Sequence, residues 1–175
     1  MICGSGRVAE TRFNGGSQPY SHRGFLVYWD SLQSFHERFS MRSGDERQRI
    51  SGQSPYEPII GFSRAVRCGH FISVSGTGPV NPDGSSAGGD DPALQMASCL
   101  EIIREALERA GSRLEDIVRT RIYLTSAADW ESVGRVHGKY FALCRPASTM
   151  VVVAALLRPE WKVEVEADAI ISEKD

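Results

Sequence analysis

Two neighbouring patterns of apolar residues between positions 145 and 171 constrain the fold of this chain most strongly. Residues 150–157 are apolar at every position. A strand with one face in water alternates apolar and polar side chains, whereas a continuous apolar run is typical of a strand covered on both sides. The sequence therefore predicts a strand at residues 150–157 that is buried on both faces.

Residues 163–169 have the opposite pattern, a strict alternation of apolar and acidic side chains. The acidic positions are Glu164, Glu166 and Asp168. Because successive side chains of a strand point to opposite faces, this alternation predicts one apolar face and one row of carboxylates. The link at residues 158–162 is short enough for a hairpin, so we expect the two strands to be neighbours in one sheet.

Composition and charge limit the classes of protein to which the chain can belong. Its 175 residues suffice for one domain with an appendage, and 41% hydrophobic content is ordinary for a globular protein. A formal net charge of −2 provides no strong field for nucleic acid or anionic lipid, so neither partner is expected. The four cysteines form no CxxC pair and the four histidines lack ligand spacing, which predicts reduced thiols, a cytoplasmic location and no metal site.

The first 50 residues differ in composition from the rest. They are rich in Gly, Ser and Arg, and they contain no apolar run long enough to cross a membrane. We interpret residues 1–50 as a variable or disordered extension, with Met41 as an alternative start, and residues 51–175 as the folded domain.

From residue 63 onward the sequence alternates strands and helices. Two short strands, at residues 63–67 and 71–77, precede a helix that begins with the N-cap Asp91 and Pro92 and ends at Gly111. Its apolar stripe consists of Met96, Leu100, Ile103, Leu107 and Ala110. A third strand follows at residues 117–125. A second helix begins after a Ser126-x-x-Asp129 cap, and its apolar line consists of Trp130, Val133, Val136, His137, Tyr140 and Phe141. The order β-β-α-β-α-β-β predicts an α+β sandwich with two helices on one sheet face.

Two helices cover only one face, so the buried strand at residues 150–157 requires a further cover. We expect other copies of the chain to supply it in a closed symmetric oligomer. Gly134 and Gly138 each destabilise the second helix by roughly 1 kcal/mol relative to alanine, and we interpret them as points of close packing on the sheet. His137, on the inner line of that helix, is interpreted as a packing residue.

Two stretches of the sequence resemble those of a known family. SRAVRCGHFISVSGTGPVNPDG and RPASTMVVVAALLRPEWKVEVEADAII, with the helical segments between them, resemble the RidA/YjgF family, also called endoribonuclease L-PSP, over residues 61–171. The resemblance implies a fold like that of chorismate mutase, ferredoxin-like in topology, and a homotrimer with a ligand cleft between subunits. It also implies hydrolysis of reactive imines and enamines to a carbonyl compound and ammonia, without a cofactor.

The resemblance also assigns residues to the cleft. Ser75 and Gly76 match the Ser-Gly of the family at the end of a strand, where they would hold the polar end of the substrate. Glu164 matches a glutamate that would position and deprotonate the attacking water. We expect neighbouring carboxylates and a dry interface to raise its pKa, and the alternative is that the acidic row is a solvated edge.

Several cleft positions depart from the family pattern. Active members hold the substrate carboxylate with an arginine in a PAR[ST] motif, and here Ser148, followed by Thr149, takes that position. Phe62 stands at the place of a tyrosine and Gly134 at that of an asparagine. Losing a charge-assisted hydrogen bond costs roughly 1.5 to 3 kcal/mol, so we expect a changed substrate.

Another cation would be needed to hold a substrate carboxylate in this cleft. Arg145 is the nearest candidate, ahead of Arg64 and Arg121, because arginines on surface strands are usually solvated. The predicted function is hydrolytic deamination of an imine or enamine. The alternatives are a non-catalytic trimer that binds a small metabolite as scaffold or sensor, and a ribonuclease, which fits worst because the domain lacks a basic stripe.

Overall fold

The structure is a computed structural model that describes residues 47–172, apart from Gln53, Pro55 and Tyr56. The predicted extension lies outside the described residues except for its last four, which form a strand. The strands are β1 (Arg47–Ile50), β2 (Ala65–Cys68), β3 (Phe71–Thr77), β4 (Ile117–Leu124), β5 (Ala147–Val152) and β6 (Val163–Ile170). The helices are α1 (Glu57–Ile60), α2 (Pro92–Arg109) and α3 (Trp130–Phe141). The predicted order β-β-α-β-α-β-β is confirmed for β2 to β6.

The six strands form one mixed sheet in the order β1-β2-β3-β6-β4-β5. All neighbours are antiparallel except β4 and β5. The predicted hairpin between β5 and β6 is therefore wrong. Helix α3 is the crossover of a β4-α3-β5 unit, which places β5 parallel beside β4. The chain then returns so that β6 pairs with both β3 and β4, and β6 gains hydrogen bonds along both edges instead of one.

Strand β5 is shorter and more exposed than predicted. It ends at Val152, and the chain leaves the sheet after Val153, whose N–H donates to the carbonyl of Leu124 at 2.8 Å. Val151 is 44% exposed, Val152 53% and Leu157 91%. Within the described residues, burial on both faces of residues 150–157 is thus not achieved, because β5 is an edge strand of the sheet.

The alternation in β6 is confirmed. Its apolar positions are fully buried against the helices, and they are Val163, Val165, Ala167 and Ala169. Helix α2 supplies the facing apolar stripe, with the predicted positions Met96, Leu100, Ile103, Leu107 and Ala110. The carboxylates of β6 consequently lie on the opposite face of the sheet.

The ends of α2 are also as predicted. The carboxylate of Asp91 accepts hydrogen bonds from the N–H groups of Ala93 and Leu94 at 2.8 and 3.3 Å. Pro92 is the first helical residue, and Gly111, with φ 77°, lies just beyond the end.

The interpretation of the two helix glycines is wrong for the isolated protomer. A Cβ built on Gly134 or on Gly138 would meet nothing within 4 Å. Helix α3 contacts the core through Val133 and Phe141, whereas Trp130, expected on the same apolar line, is 61% exposed. The glycines therefore leave an open strip along α3.

Candidate functional site

A β-bulge in β3 presents the predicted residues Ser75 and Gly76. The pairing of β3 with β6 shifts register between Val74 and Thr77, so these two residues fall in the bulge. Arg64 holds it from one side, because its Nη1 donates to the carbonyls of Ser75 and Gly76 and to Thr77 Oγ1, at 3.2, 2.9 and 2.7 Å. The bulge is thereby fixed by a single guanidinium nitrogen.

Glu164 of β6 packs directly on the bulge. A Cβ built on Gly76 would overlap Oε1 of Glu164, so only glycine leaves room for the carboxyl group there. Ser75 precedes Gly76 in the bulge, and its hydroxyl donates to the Ser63 carbonyl at 2.7 Å. The structure thus brings together three of the predicted site residues, and we call Ser75, Gly76 and Glu164 the Glu164 cluster.

Burial sets the electrostatics of the Glu164 cluster. Glu164 is half-buried, and this burial raises the pKa of its carboxyl group, with a further contribution from Glu166 and an opposing one from Arg64. Burial also lowers the pKa of Arg64, against the attraction of Glu57 and Glu164. The raised pKa agrees with the sequence expectation, although burial contributes more than the neighbouring charge.

The other carboxylates of β6 are engaged elsewhere. Arg121 lies 3.5 Å from Glu166 and 3.0 Å from Asp168. Ser73 Oγ donates to Asp168 at 3.0 Å. Two of the three carboxylates in the acidic row therefore share Arg121 as their ion-pair partner, and Arg121 is committed to them.

A second cluster surrounds Ser148 on β5. Thr120 Oγ1 lies 2.9 Å from Ser148 Oγ and 3.0 Å from His137 Nε2. Thr120 is fully buried and Ser148 is exposed. Gly134 precedes His137 by almost one turn of α3, so both lie on one side of that helix. We call Thr120, His137 and Ser148 the Ser148 cluster.

The two clusters lie on opposite faces of the sheet. Ser148 pairs with Thr120, which points into the core beneath the helices, whereas Glu164 pairs with Tyr123 on the acidic face. One protomer therefore does not bring Glu164 and Ser148 together.

Other predicted residues lie apart from both clusters or at their margins. Arg145 has φ 46° and its Nε donates to the Ala142 carbonyl at 3.3 Å, at the C-terminal end of α3. Thr149 pairs with Arg121 on the acidic face, opposite to Ser148. Phe62 is half-buried beside Ser63, and its N–H donates to the Glu57 carbonyl at 3.2 Å.

Comparison with known proteins decides the family. The sequence profile described as endoribonuclease L-PSP matches residues 51–171. The chain belongs to the RidA/YjgF family. A crystal structure of a Mycobacterium tuberculosis member of the YjgF/YER057c/UK114 family is 43% identical and superposes with a TM-score of 0.66, covering 72% of this chain and all of that one. The YjgF gene product of E. coli is 29% identical with a TM-score of 0.62, covering 70% and 98%.

Curated RidA/YjgF relatives extend the comparison. An uncharacterized protein of Streptomyces coelicolor is 34% identical over 122 residues, which are 70% of this chain and 90% of that protein. A protein of Acinetobacter baylyi named 3-aminoacrylate deaminase RutC is 30% identical over 112 residues, 64% and 88% of the two chains.

Three residues of this RidA/YjgF chain contribute more to the site than the sequence predicts. Arg64 donates hydrogen bonds to the bulge, although Arg145 was ranked ahead of it. Thr120 and His137 support Ser148. One signal was available, since Thr120 is the only polar residue on the core-facing line of β4 that continues with Ile122 and Leu124. A buried hydroxyl there needs a partner, and an inward histidine is a suitable one.

Neither a metal centre nor a membrane span is evident where the chain is described. Between residues 47 and 172, with the three gaps noted, no group of three His, Cys, Asp or Glu side chains is arranged to hold a metal ion. No helix in that same portion of the chain has the length and apolar character to cross a membrane.

Proposed function

We propose that this RidA/YjgF chain hydrolyses reactive imines and enamines to a carbonyl compound and ammonia. The observation that carries the proposal is the seat of Glu164 on Gly76, where burial raises the carboxyl pKa toward the range useful for proton transfer. The similarity to a protein named 3-aminoacrylate deaminase supports the class of reaction.

The reaction needs only water and one group that moves protons. The Glu164 carboxylate takes a proton from water as the water oxygen bonds to the C=N carbon, and the C=N π electrons move to nitrogen. The protonated carboxyl then gives this proton to the nitrogen. The carboxylate next takes the hydroxyl proton and passes it to the amino nitrogen, the C–N bond breaks as the oxygen forms the C=O bond, and ammonia leaves. An enamine enters the same route after one proton moves from nitrogen to carbon.

A second copy of the chain would complete the cleft. The Glu164 and Ser148 clusters lie on opposite faces of one sheet, so they can line one cleft only if neighbouring copies contribute one cluster each. Strand β5 carries exposed Val151 and Val152 at the edge of the sheet that the described residues form, which favours burial against another copy. We infer a homotrimer with one cleft at each interface, as the family resemblance implies.

The decisive experiment compares two carboxylates of the same strand. Imines with and without a carboxylate are generated in situ, from amino acids by an amino-acid oxidase and from neutral amines by an amine oxidase, and the decay of the C=N absorbance is compared with that in buffer. Glu164→Gln should lower kcat about 100-fold or more, as expected for loss of a general acid–base group. Glu166→Gln is the matched control, because Glu166 lies on the same face and contacts Arg121. No turnover above buffer, or equal loss in both variants, contradicts the proposal.

A second candidate function is non-catalytic binding of a small metabolite by the same trimer. It is favoured by the absence of the family's arginine, tyrosine and asparagine at Ser148, Phe62 and Gly134. A ligand present at 100 times its Kd would stabilise the fold by about 2.7 kcal/mol. Ligands that raise Tm without being chemically altered would favour binding over hydrolysis.

A further inference from the structure

The Ser148 cluster is a chain of hydrogen bonds that runs from the core to the surface. It joins three elements, because Thr120 lies on β4, His137 on α3 and Ser148 on β5. The two links are 3.0 Å at His137 Nε2 and 2.9 Å at Ser148 Oγ. Thr120 is inaccessible to solvent while Ser148 is exposed. The series of hydrogen bonds therefore ends in the Ser148 hydroxyl, which a ligand can reach.

Because each hydroxyl has a single proton, the two hydrogen bonds of the Ser148 cluster must run in the same direction. A threonine hydroxyl has one proton to donate. If Thr120 donates to Ser148, then His137 must donate to Thr120, and the Ser148 proton is free for a ligand acceptor. If His137 accepts from Thr120, then Ser148 donates to Thr120, and its free lone pair accepts from a ligand donor. The first arrangement leaves Ser148 with its proton and one lone pair, whereas the second leaves it with lone pairs alone, so the tautomer of His137 decides whether Ser148 can donate to a ligand.

The surroundings of Ser148 favour an uncharged ligand group. Burial lowers the pKa of His137, so the imidazole is neutral near neutral pH. The Arg145 guanidinium is bound to the end of α3, and Thr149 points to the other sheet face. The Ser148 cluster itself contains no cation, so a carboxylate bound to Ser148 would exchange water for one neutral hydroxyl, which costs free energy. An amide or carbonyl loses much less.

We propose that Ser148 binds an uncharged amide or carbonyl of the substrate, and that Thr120 and His137 are positioning residues that fix the direction of its hydroxyl. The inference rests on the proposed function, because it assigns a substrate class to that cleft. The substrates would be imines that carry a neutral polar substituent in place of a carboxylate.

Two stable probes of nearly equal shape test the charge preference. Pyruvamide and pyruvate resemble the carbonyl products of a neutral and of an anionic imine, and their binding to the full chain is measured by titration. We expect pyruvamide to bind about tenfold tighter or more. Ser148→Ala and Thr120→Val should each weaken pyruvamide binding about two- to tenfold, the range for one hydrogen bond. Thr120→Ser, which keeps the hydroxyl, should bind nearly as the natural chain does.

A separate readout distinguishes positioning from packing. The ¹⁵N chemical shift of His137 Nε2 reports whether this nitrogen donates or accepts. Ser148→Ala should change that shift although residue 148 does not touch the imidazole, whereas a purely structural role of Thr120 predicts no change. Circular dichroism verifies that each variant folds.

Three results would overturn the inference. They are pyruvate binding as tightly as pyruvamide, unchanged pyruvamide binding in Ser148→Ala, and failure of both probes to bind at millimolar concentrations. Pyruvate binding that is lost in Arg145→Gln would assign the site to a carboxylate instead. Glu164→Gln separates the two proposals, because it should abolish hydrolysis and keep pyruvamide binding. Binding without hydrolysis in the natural chain would contradict the proposed function alone.

Discussion

At the scale of single residues, two glycines on either side of Thr77 have different neighbours. A Cβ on Gly76 would meet the end of the flexible Glu164 side chain. A Cβ on Gly78 would meet the indole of Trp161, whose Nε1 donates to Ser86 Oγ at 3.0 Å and whose ring lies 5.4 Å from the Arg158 guanidinium carbon. A carboxylate can swing away, whereas a bonded and packed ring cannot.

Alanine should therefore lower mainly the activity when it replaces Gly76 and mainly the stability when it replaces Gly78. Gly76→Ala should displace Glu164 and lower kcat about 100-fold, with little change in the free energy of unfolding. Gly78→Ala should cost about 1 to 3 kcal/mol through overpacking. Imine decay and urea denaturation measure the two effects. Full activity of Gly76→Ala would mean that the Glu164 seat does not matter for catalysis.

The raised pKa of Glu164 predicts how stability depends on pH. Because the folded state favours the protonated carboxyl, its stabilising contribution is present below the ordinary glutamate pKa and is lost as pH rises through the raised one. Glu164→Gln, which stays neutral, should thus be more stable than the natural chain near pH 7, and the gain should shrink near pH 4. Denaturation at both pH values measures this. A gain that does not depend on pH would contradict it.

At the scale of secondary-structure elements, α3 has an unusual surface. Glycine lowers helix stability, and no side chain of the described protomer needs the space that Gly138 leaves. Gly138→Ala should accordingly raise the free energy of unfolding by up to about 1 kcal/mol. Thermal unfolding at low protein concentration measures this. A lower Tm would indicate that another copy of the chain packs against Gly138.

The elements also explain which parts of the fold the sequence could predict. Local signals were sufficient for α2, where Asp91, Pro92 and Gly111 mark the ends, and for β6, where alternation separates core from surface. Neither signal identifies the neighbour of a strand, and so the place of β6 between β3 and β4 was missed. The apolar run at residues 150–157 was assigned to one strand, although only residues up to Val152 belong to β5.

The same distinction applies to the candidate site. Gly76 and Glu164 are distant in sequence, and their contact depends on the pairing of β3 with β6. Arg64 was ranked low because a strand arginine is usually solvated, and only the fold reveals that it caps the bulge. Family resemblance identified the positions of the cleft residues but not the bond between Thr120 and His137.

At the scale of the whole molecule, the site depends on assembly. Val152 lies on the same face of β5 as Ser148, since alternate residues of a strand share a face. We expect the natural chain to sediment as a trimer and Val152→Glu to sediment as a folded monomer without activity. Leu94→Glu is the matched control, because Leu94 of α2 is 57% exposed and Val152 53%. A natural chain that is monomeric and active would contradict a shared cleft.

The separation of Glu164 and Ser148 on opposite sheet faces has a genetic consequence. If each cleft takes its carboxylate from one chain and its hydroxyl from the next, chains with different defects can repair each other. Co-expression of a variant changed at Glu164 with one changed at Ser148 would produce mixed trimers. Some clefts in these trimers would contain both the natural Glu164 and the natural Ser148. Complementation between two inactive alleles would follow, whereas two defects within the same cluster would never complement.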